Sequence, residues 1–535
     1  MPANRDSRQR WVSLATIVLQ NKPNWNLQSE LSLLHFAHAF LEKLRSLEIQ
    51  VITPSDVLLK EIHGSEAGLE NFQIQIKVST IASDGSIYCP PGWCPSTEKW
   101  RFHLGYILRF ILSSRQDFTR IVRKPHWKEV SATYRPSESH WIHRLYGMFN
   151  GQLAFGKDWL PITDWTEKLL FSLLRWPGCS ESEETESFDD IEAAIAIIGH
   201  RIEKLHGMRG SLSNTLVLPF QTTRPTKSTG KRPLRACVMQ TIIPKPLDFE
   251  QAEDITLSST AFRRKHRNHL SSALSAIKSM LDLRETHKGC DGRLDWLISP
   301  ELSVHPLDVK THLIPFSRAY KTIILAGLTY EELVPGQPKV NSAIWVIPTW
   351  SRAHGLQIIT RRQCKQHLSP SESLLNSAAP IIHGFRPCQW LVGYDWSSED
   401  AFPPLWLTAS ICYDATDISL VADLKSQSDV FAIPALNKDV STFDQMSLAL
   451  HYHMFQLVTI ANNGHFGGSN AYAPYREAYQ RQIFHLHGQP QATLSFFEID
   501  DIADYQERKN AAKNLADSAP SQKNLPKWKN PPAGM

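Results

Sequence analysis

Three short strings hold side chains whose types and spacing could do chemistry. They are SPELSVHP around Glu301, RRQCKQHLSP around Lys365 and TASICYDATD around Cys412. Each follows an apolar run that reads as a buried strand. A carboxylate, an ammonium and a thiol delivered from three strand ends are the parts needed to open a C–N bond through a thioester. A carboxylate in a dry cleft has a raised pKa and suits a base for a thiol. A lysine there steadies a tetrahedral oxyanion. Taken singly, each residue has a plainer reading. A lone cysteine is usually a small buried hydrophobe. A glutamate after a strand is usually at the surface. Lys365 follows Arg361 and Arg362 in what reads as a solvated basic stretch.

Taken together, the order Glu, Lys, Cys, with PEL, K-x-H-L-x-P and ICYD around them, resembles the nitrilase, or carbon–nitrogen hydrolase, superfamily. The resemblance covers about residues 234–500. It implies an α-β-β-α sandwich with Glu301 as base, Lys365 as oxyanion-stabilising lysine and Cys412 as nucleophile. The backbone N–H of Tyr413 would be a second oxyanion donor. It implies a small amide or nitrile substrate, no metal or organic cofactor, and a homo-oligomer. An acyl acceptor other than water would make the protein a transferase. The family commonly has a second glutamate shortly after the lysine. Glu372 is the nearest match, at a spacing one residue shorter than usual. The stretch 375–404 is longer than the family pattern and carries His383, Phe385, Trp390, Tyr394 and Trp396. It reads as irregular, a lid or an added partner surface. ANNGHFGGSNAYAP, with Asn462, Gly467, Gly468 and Ser469, resembles the family's Gly-rich segment and reads equally as a turn-rich loop. Nitrilase-like domains also occur joined to, or encoded beside, reverse transcriptases in bacterial anti-phage systems. In that setting a nitrilase-like scaffold with little activity is the alternative. A polymerase partner would be a separate chain.

These motifs need elements to hold them. At 535 residues the chain is long enough for two cores. Its composition, 42% hydrophobic and 21% charged, is that of a globular protein. The expected class is α/β, with a mixed, helix-rich N-terminal domain over 1–207. A Ser/Thr/Pro-rich connector follows over 208–233, then the sandwich over 234–502. A polar tail, 503–535, reads as disordered. Helices are expected near 28–48, 103–112, 165–174 and 188–205, and a strand at FQIQIKVSTI. From Leu234 strands and helices alternate, which argues a layered α/β fold.

The rest of the chemistry is thinner. Cys89 and Cys94 in CPPGWC could hold a metal with His103 and His126, but the Pro-Pro-Gly turn explains the spacing, and no metal site is assigned. The segment 101–150 interleaves basic and aromatic residues. Arg120, Arg123, Lys124, Trp127 and Trp141 have the makeup of a single-strand nucleic-acid groove, with a solvated helix face as the plainer alternative. Asp189 and Asp190 open a helix, where acidic residues are favoured anyway. A net charge of +4 is too mild to imply a nucleic-acid partner. No run is apolar enough to span a bilayer, and no signal peptide is read at the start. Eight scattered cysteines suit reduced thiols in a cytoplasmic protein.

Overall fold

The computed structural model describes residues 190–535 apart from 224–232, 289–292, 333–337, 352–354, 378, 387, 397–402, 489, 514–526 and 533–535. Of residues 1–189 it describes 11–13, 24–27, 30–46, 51–53, 57–64, 74–80 and scattered helical positions at 100–108 and 165–173. The chain divides into two compact units, Met1–Arg209 and Gly210–Met535.

In the first unit Ile74–Thr80 pairs antiparallel with Asn24–Leu27 on one side and Val57–Gly64 on the other. The helices Glu30–Ser46 and Ile191–Gly207 pack on each other. The expected helical spacing holds: Leu33, Ala37, Phe40, Leu41 and Leu44 are buried. Asp190 caps the second helix, its Oδ1 accepting the Ala193 N–H at 2.7 Å. Cys89, Cys94, His103, His126, Arg120, Arg123, Lys124, Trp127 and Trp141 lie outside the described residues.

The second unit carries the three motifs. In chain order it runs β1 (Val217–Gln221), β2 (Leu234–Gln240), α1 (Pro246–Glu250), α2 (Thr260–Lys288), β3 (Trp296–Val304) and β4 (Ile323–Glu331). There follow β5 (Lys339–Ser351), β6 (Gly355–Cys364), α3 (Pro370–Leu375), β7 (Ile382–His383), β8 (Gln389–Tyr394) and β9 (Leu405–Ala409). The last elements are α4 (Ile418–Leu424), β10 (Val430–Ala435), α5 (Val440–His453), β11 (Leu457–Asn462), β12 (Asn470–Tyr472), β13 (Gln482–His485), β14 (Thr493–Ile499) and α6 (Ile502–Lys513). Two seven-stranded sheets result. One has the order β6-β5-β4-β3-β2-β14 with β7 beside β5; the other is β13-β12-β11-β10-β9-β8-β1. Strands β3 and β4 face β10 across the sheet interface, and β2 and β3 face β11. Helix α5 lies against β11 and β12, and the helix Ile314–Tyr320 against β5 and β6. Strands β2–β4 and β9–β11 are parallel within their sheets. β3, β10 and β11 are buried along their whole length. Such strands read as unbroken apolar runs.

Three stretches differ from expectation. Residues 208–233 are not only a connector: Val217–Gln221 is an edge strand, pairing parallel with β8. Its LVLPF core was hidden among turn-forming residues. The stretch 375–404 is not irregular throughout. It supplies β7 and β8, and Trp390 and Tyr394 are core residues at 0% and 2% exposure. The tail 503–535 contains α6, and Trp528 is buried at 2% exposure.

Candidate active site

Glu301 sits inside β3, not past its end. The pairing of β3 with β4 is irregular between Ser299 and Val304, and Leu302 has a φ of 55°. The Ser303 hydroxyl ties this bulge by donating to Pro300 O at 2.7 Å. A bulge of this kind re-aims a side chain out of the regular pleat. Gly327 on β4 lies directly opposite; a Cβ there would fall 2.3 Å from Pro300 O and 2.4 Å from Glu301 Cα. Lys365 is the first residue beyond β6, and its N–H extends the ladder by donating to Asn341 O at 2.9 Å. Cys412 opens a 3-10 turn, Cys412–Thr416, three residues past β9, at a φ of 47°. That is the left-handed region, costly for a residue with a Cβ.

The structure brings these three together and adds Glu372. All four are buried, at 3%, 1%, 5% and 4% exposure for Glu301, Lys365, Cys412 and Glu372. Lys365 Nζ donates to Glu301 Oε1 at 2.8 Å and to Glu372 Oε2 at 2.6 Å. The Cys412 thiol and the Glu301 carboxylate lie near enough for each to bias the other's protonation. The Leu436 N–H donates to Glu301 Oε2 at 2.9 Å. A lysine carries three donors, so one remains for an incoming oxygen. Tyr413 is the second residue of its turn. Its N–H precedes Asp414 N, which bonds Ile411 O, so it belongs to the turn's open N-terminal end.

The one-residue shortfall at Glu372 has a local cause. Ser369 and Glu372 form a capping box at the start of α3. Ser369 Oγ accepts the Glu372 N–H at 3.3 Å, and Glu372 Oε2 accepts the Ser369 N–H at 2.8 Å. The cap fixes the carboxylate where Lys365 reaches it. Two further residues were missed from the sequence. Asn341 Nδ2 donates to Glu301 Oε1 and to Glu372 Oε1, each at 2.7 Å. The Tyr330 hydroxyl donates to Glu372 Oε1 at 3.2 Å. The S-P-S-E string was a readable cap signal. Asn341 and Tyr330 sit in ordinary strand sequence and gave none.

Asp414, in the ICYD motif, ties the two loops together. Its carboxylate accepts the Gln366 and His367 N–H groups at 2.9 and 2.7 Å. Arg386 pairs with Asp414 at 3.4 Å and with Asp417 at 3.1 Å. In the Gly-rich segment, Asn462 Nδ2 donates to Asn437 O at 2.8 Å and to Gly467 O at 2.6 Å, steadying the loop after β10.

Burial pushes the Glu301 carboxyl up, and Lys365 only partly opposes it. Burial also pushes the Cys412 thiol well up, and the Glu301 charge adds to this. Burial alone would lower Lys365, but Glu301 and Glu372 outweigh it and hold the ammonium well above its ordinary range. Burial would raise Glu372, but Lys365 and the donors around it hold it low. The resting site is therefore a neutral thiol, an ammonium and an ionised Glu372, with Glu301 the carboxyl that most readily gains a proton. Among the described residues no cluster has the makeup of a metal site.

No protein-family model and no curated protein matches the chain. Among solved structures it is similar to a double mutant of the amidase from Nesterenkonia sp. AN1 in complex with acrylamide, at 15% identity. That match covers 54% of this chain and 99% of that one, with a TM-score of 0.33. It is also similar to XC1258 from Xanthomonas campestris, a CN-hydrolase superfamily protein with an arsenic adduct in the active site. That match has 13% identity, 54% and 99% coverage and a TM-score of 0.35. Likenesses this distant carry no argument about activity, which rests on the geometry.

Proposed function

We propose that the second unit hydrolyses a non-peptide C–N bond, that of an amide or nitrile, through a thioester on Cys412. The observation that carries this is the Lys365 ammonium held between two buried carboxylates, one of which neighbours a buried thiol. For an amide, Glu301 takes the Cys412 proton as sulfur attacks the carbonyl carbon. The carbonyl electron pair moves to oxygen, held by the third Lys365 N–H and the Tyr413 N–H. Collapse breaks the C–N bond, Glu301 returns its proton to nitrogen, and ammonia or an amine leaves. Water then attacks the thioester while Glu301 takes its proton, and the acid departs as the thiol is restored. Glu372 takes no proton in this scheme; saturated with donors, it holds Lys365 in place.

The test is ammonia release from a panel of short amides and nitriles, with mass spectrometry on a slow substrate. An acyl adduct on Cys412, lost in Cys412→Ser, supports the reading. Glu301→Gln and Lys365→Ala are each expected to lower the rate by about 10²-fold or more. The double variant should be little worse than either single, because groups acting as a unit are non-additive. An adduct on Cys237, Cys364 or Cys388, or full activity in Cys412→Ser, would overturn it.

A further inference from the structure

Asn341 has a place in this site that the acid–base scheme leaves unused. Its backbone carbonyl accepts the Lys365 N–H, and its side chain donates to both carboxylates that hold the Lys365 ammonium. It reaches them from a second bulge, where the register of β5 against β4 shifts between Val340 and Ser342. Its amide orientation is dictated from one side only. The Nδ2 end faces two carboxylate oxygens, while the buried Oδ1 has no hydrogen-bond partner among the described residues. Turning the amide over would set an oxygen against both carboxylates. A side chain kept for packing would ordinarily satisfy both ends; this one is satisfied only where it meets Glu301 and Glu372.

The two Oε1 atoms each accept from that one nitrogen at 2.7 Å, which brings the carboxylates into the range where like charges raise a pKa. Two carboxylates at such range relieve their repulsion when one of them takes up a proton, and the pair then titrates as a unit. A proton taken up by Glu301 would leave Cys412 without a base. The other groups facing the pair are Lys365, the Tyr330 hydroxyl from β4 and the Cys412 thiol. Asp414 lies beyond, within reach of the Lys365 charge. Of these only Lys365 carries positive charge, and one ammonium cannot offset two carboxylates.

We propose that Asn341 is a positioning residue that, by donating to both carboxylates, keeps Glu301 ionised beside Glu372, so that Glu301 stays free to accept the proton on Cys412. This rests on the reading of Glu301 as the base. The effect is read on the full-length protein without any substrate, as the rate of Cys412 alkylation by iodoacetamide against pH, followed by peptide mass spectrometry. In the unaltered protein the rate climbs as Glu301 ionises. In Asn341→Ser that climb is expected to move up by about one pH unit or more, and further in Asn341→Asp, which adds a third carboxylate. Above the climb each variant should regain the unaltered rate, a recovery that a merely structural role would not produce. A climb left in place, or a rate depressed equally at every pH, overturns the proposal. Failure of both variants to give a cooperative thermal transition also overturns it, since Asn341 would then serve folding. Glu301→Gln separates the two ideas. If it keeps the climb, Glu301 is not the base. If it loses the climb while the Asn341 variants do not shift it, only the role of Asn341 fails.

Discussion

At the scale of single residues, the charges in the cluster do not cancel. Glu301 and Glu372 ionised against one Lys365 leave a net negative charge, and a Cys412 thiolate would add another. The thiol therefore rests protonated, and activity requires Glu301 ionised. Burial raises Glu301, so the rate should rise with pH through a value above the ordinary carboxylate range of about 4.3. Lys365 is held well above its own range and should add no alkaline loss near neutrality. A pH–rate profile with the most active amide checks both points; a climb at or below the ordinary carboxylate range would contradict the burial argument. Glu372 has the opposite sign. Its folded pKa is lowered, so its contribution to stability is present above the unfolded value and lost as pH falls through the folded one. Glu372→Gln should therefore lower the melting temperature at neutral pH, and by less in acid, as followed by circular dichroism. Glu301, Lys365 and Cys412 were legible in the sequence because each ends or interrupts an apolar run within a short string. Asn341 and Tyr330 were not, because what makes them part of the site is a bulge and a strand-to-helix meeting with Glu372, not a local pattern.

At the scale of elements, two bulges and a turn deliver the chemistry. The strands themselves were readable from apolar runs between turn signals, and β2, β3, β4, β5, β6, β9, β10, β11 and β14 all fall where such runs stand. What the runs could not convey is where pairing slips. Glu301 looked like a residue after a strand because Pro300 precedes it; in fact the strand continues through a bulge to Val304. β8 was hidden because its run, QWLVGY, lies among turn residues. It earns its place in the fold by pairing with both β1 and β9. The segment before it also serves the site. The Phe385 N–H donates to Lys365 O at 2.8 Å, and Arg386 grips the acidic groups of the Cys412 turn. A prediction at this scale falls on Gly327. Alanine there would place a methyl against Pro300 O and Glu301 Cα, both backbone atoms that cannot swing aside. The bulge must shift, and Glu301 with it. A displacement of about 1 Å at a reacting group costs roughly 10²-fold in rate. Gly327→Ala should thus lose kcat with KM little changed and Cys412 still present as a free thiol. Unchanged kcat would mean that the bulge tolerates the methyl and that Glu301 is not held from behind.

At the scale of the whole molecule, length led to the expectation of two domains; the compact units are Met1–Arg209 and Gly210–Met535. The single-strand nucleic-acid reading of Arg120, Arg123, Lys124, Trp127 and Trp141 stays a proposal. Salt-dependent binding of a labelled single strand tests it. The end of the chain was misjudged for a physical reason. Lys, Asn and Pro dominate it, and polarity of that kind ordinarily marks a segment that cannot bury enough surface to order itself. One large anchor changes the balance. Trp528 stacks on Tyr475 at 4.5 Å between ring centroids and lies 5.0 Å from the ring of Tyr505, while its Nε1 donates to Asp501 O at 2.8 Å. Backbone bonds flank it, from Arg476 N to Lys527 O and from Lys529 N to Pro474 O. Lys529 Nζ sits 3.9 Å from the centre of the Tyr452 ring. The same indole lines an apolar pocket with Leu234, Trp296, Ile499 and Tyr505, so it closes one end of the second unit's core. Trp528→Ala is expected to cost about 3 kcal/mol or more, the range for emptying a buried tryptophan site. Lys527→Ala breaks the partly exposed pair with Asp500 and a contact with the Tyr475 ring at 5.2 Å, and should cost under about 1 kcal/mol. Urea unfolding followed by tryptophan fluorescence and by far-UV circular dichroism gives both values. The cluster around Cys412 contains no group that touches Trp528, so at low temperature the folded Trp528→Ala protein should keep its Cys412 alkylation rate. Equal, small losses from the two substitutions would show that the strand-like end of the chain merely rests on the unit. A large loss from Trp528→Ala alone would show that this single indole holds a polar segment in the fold.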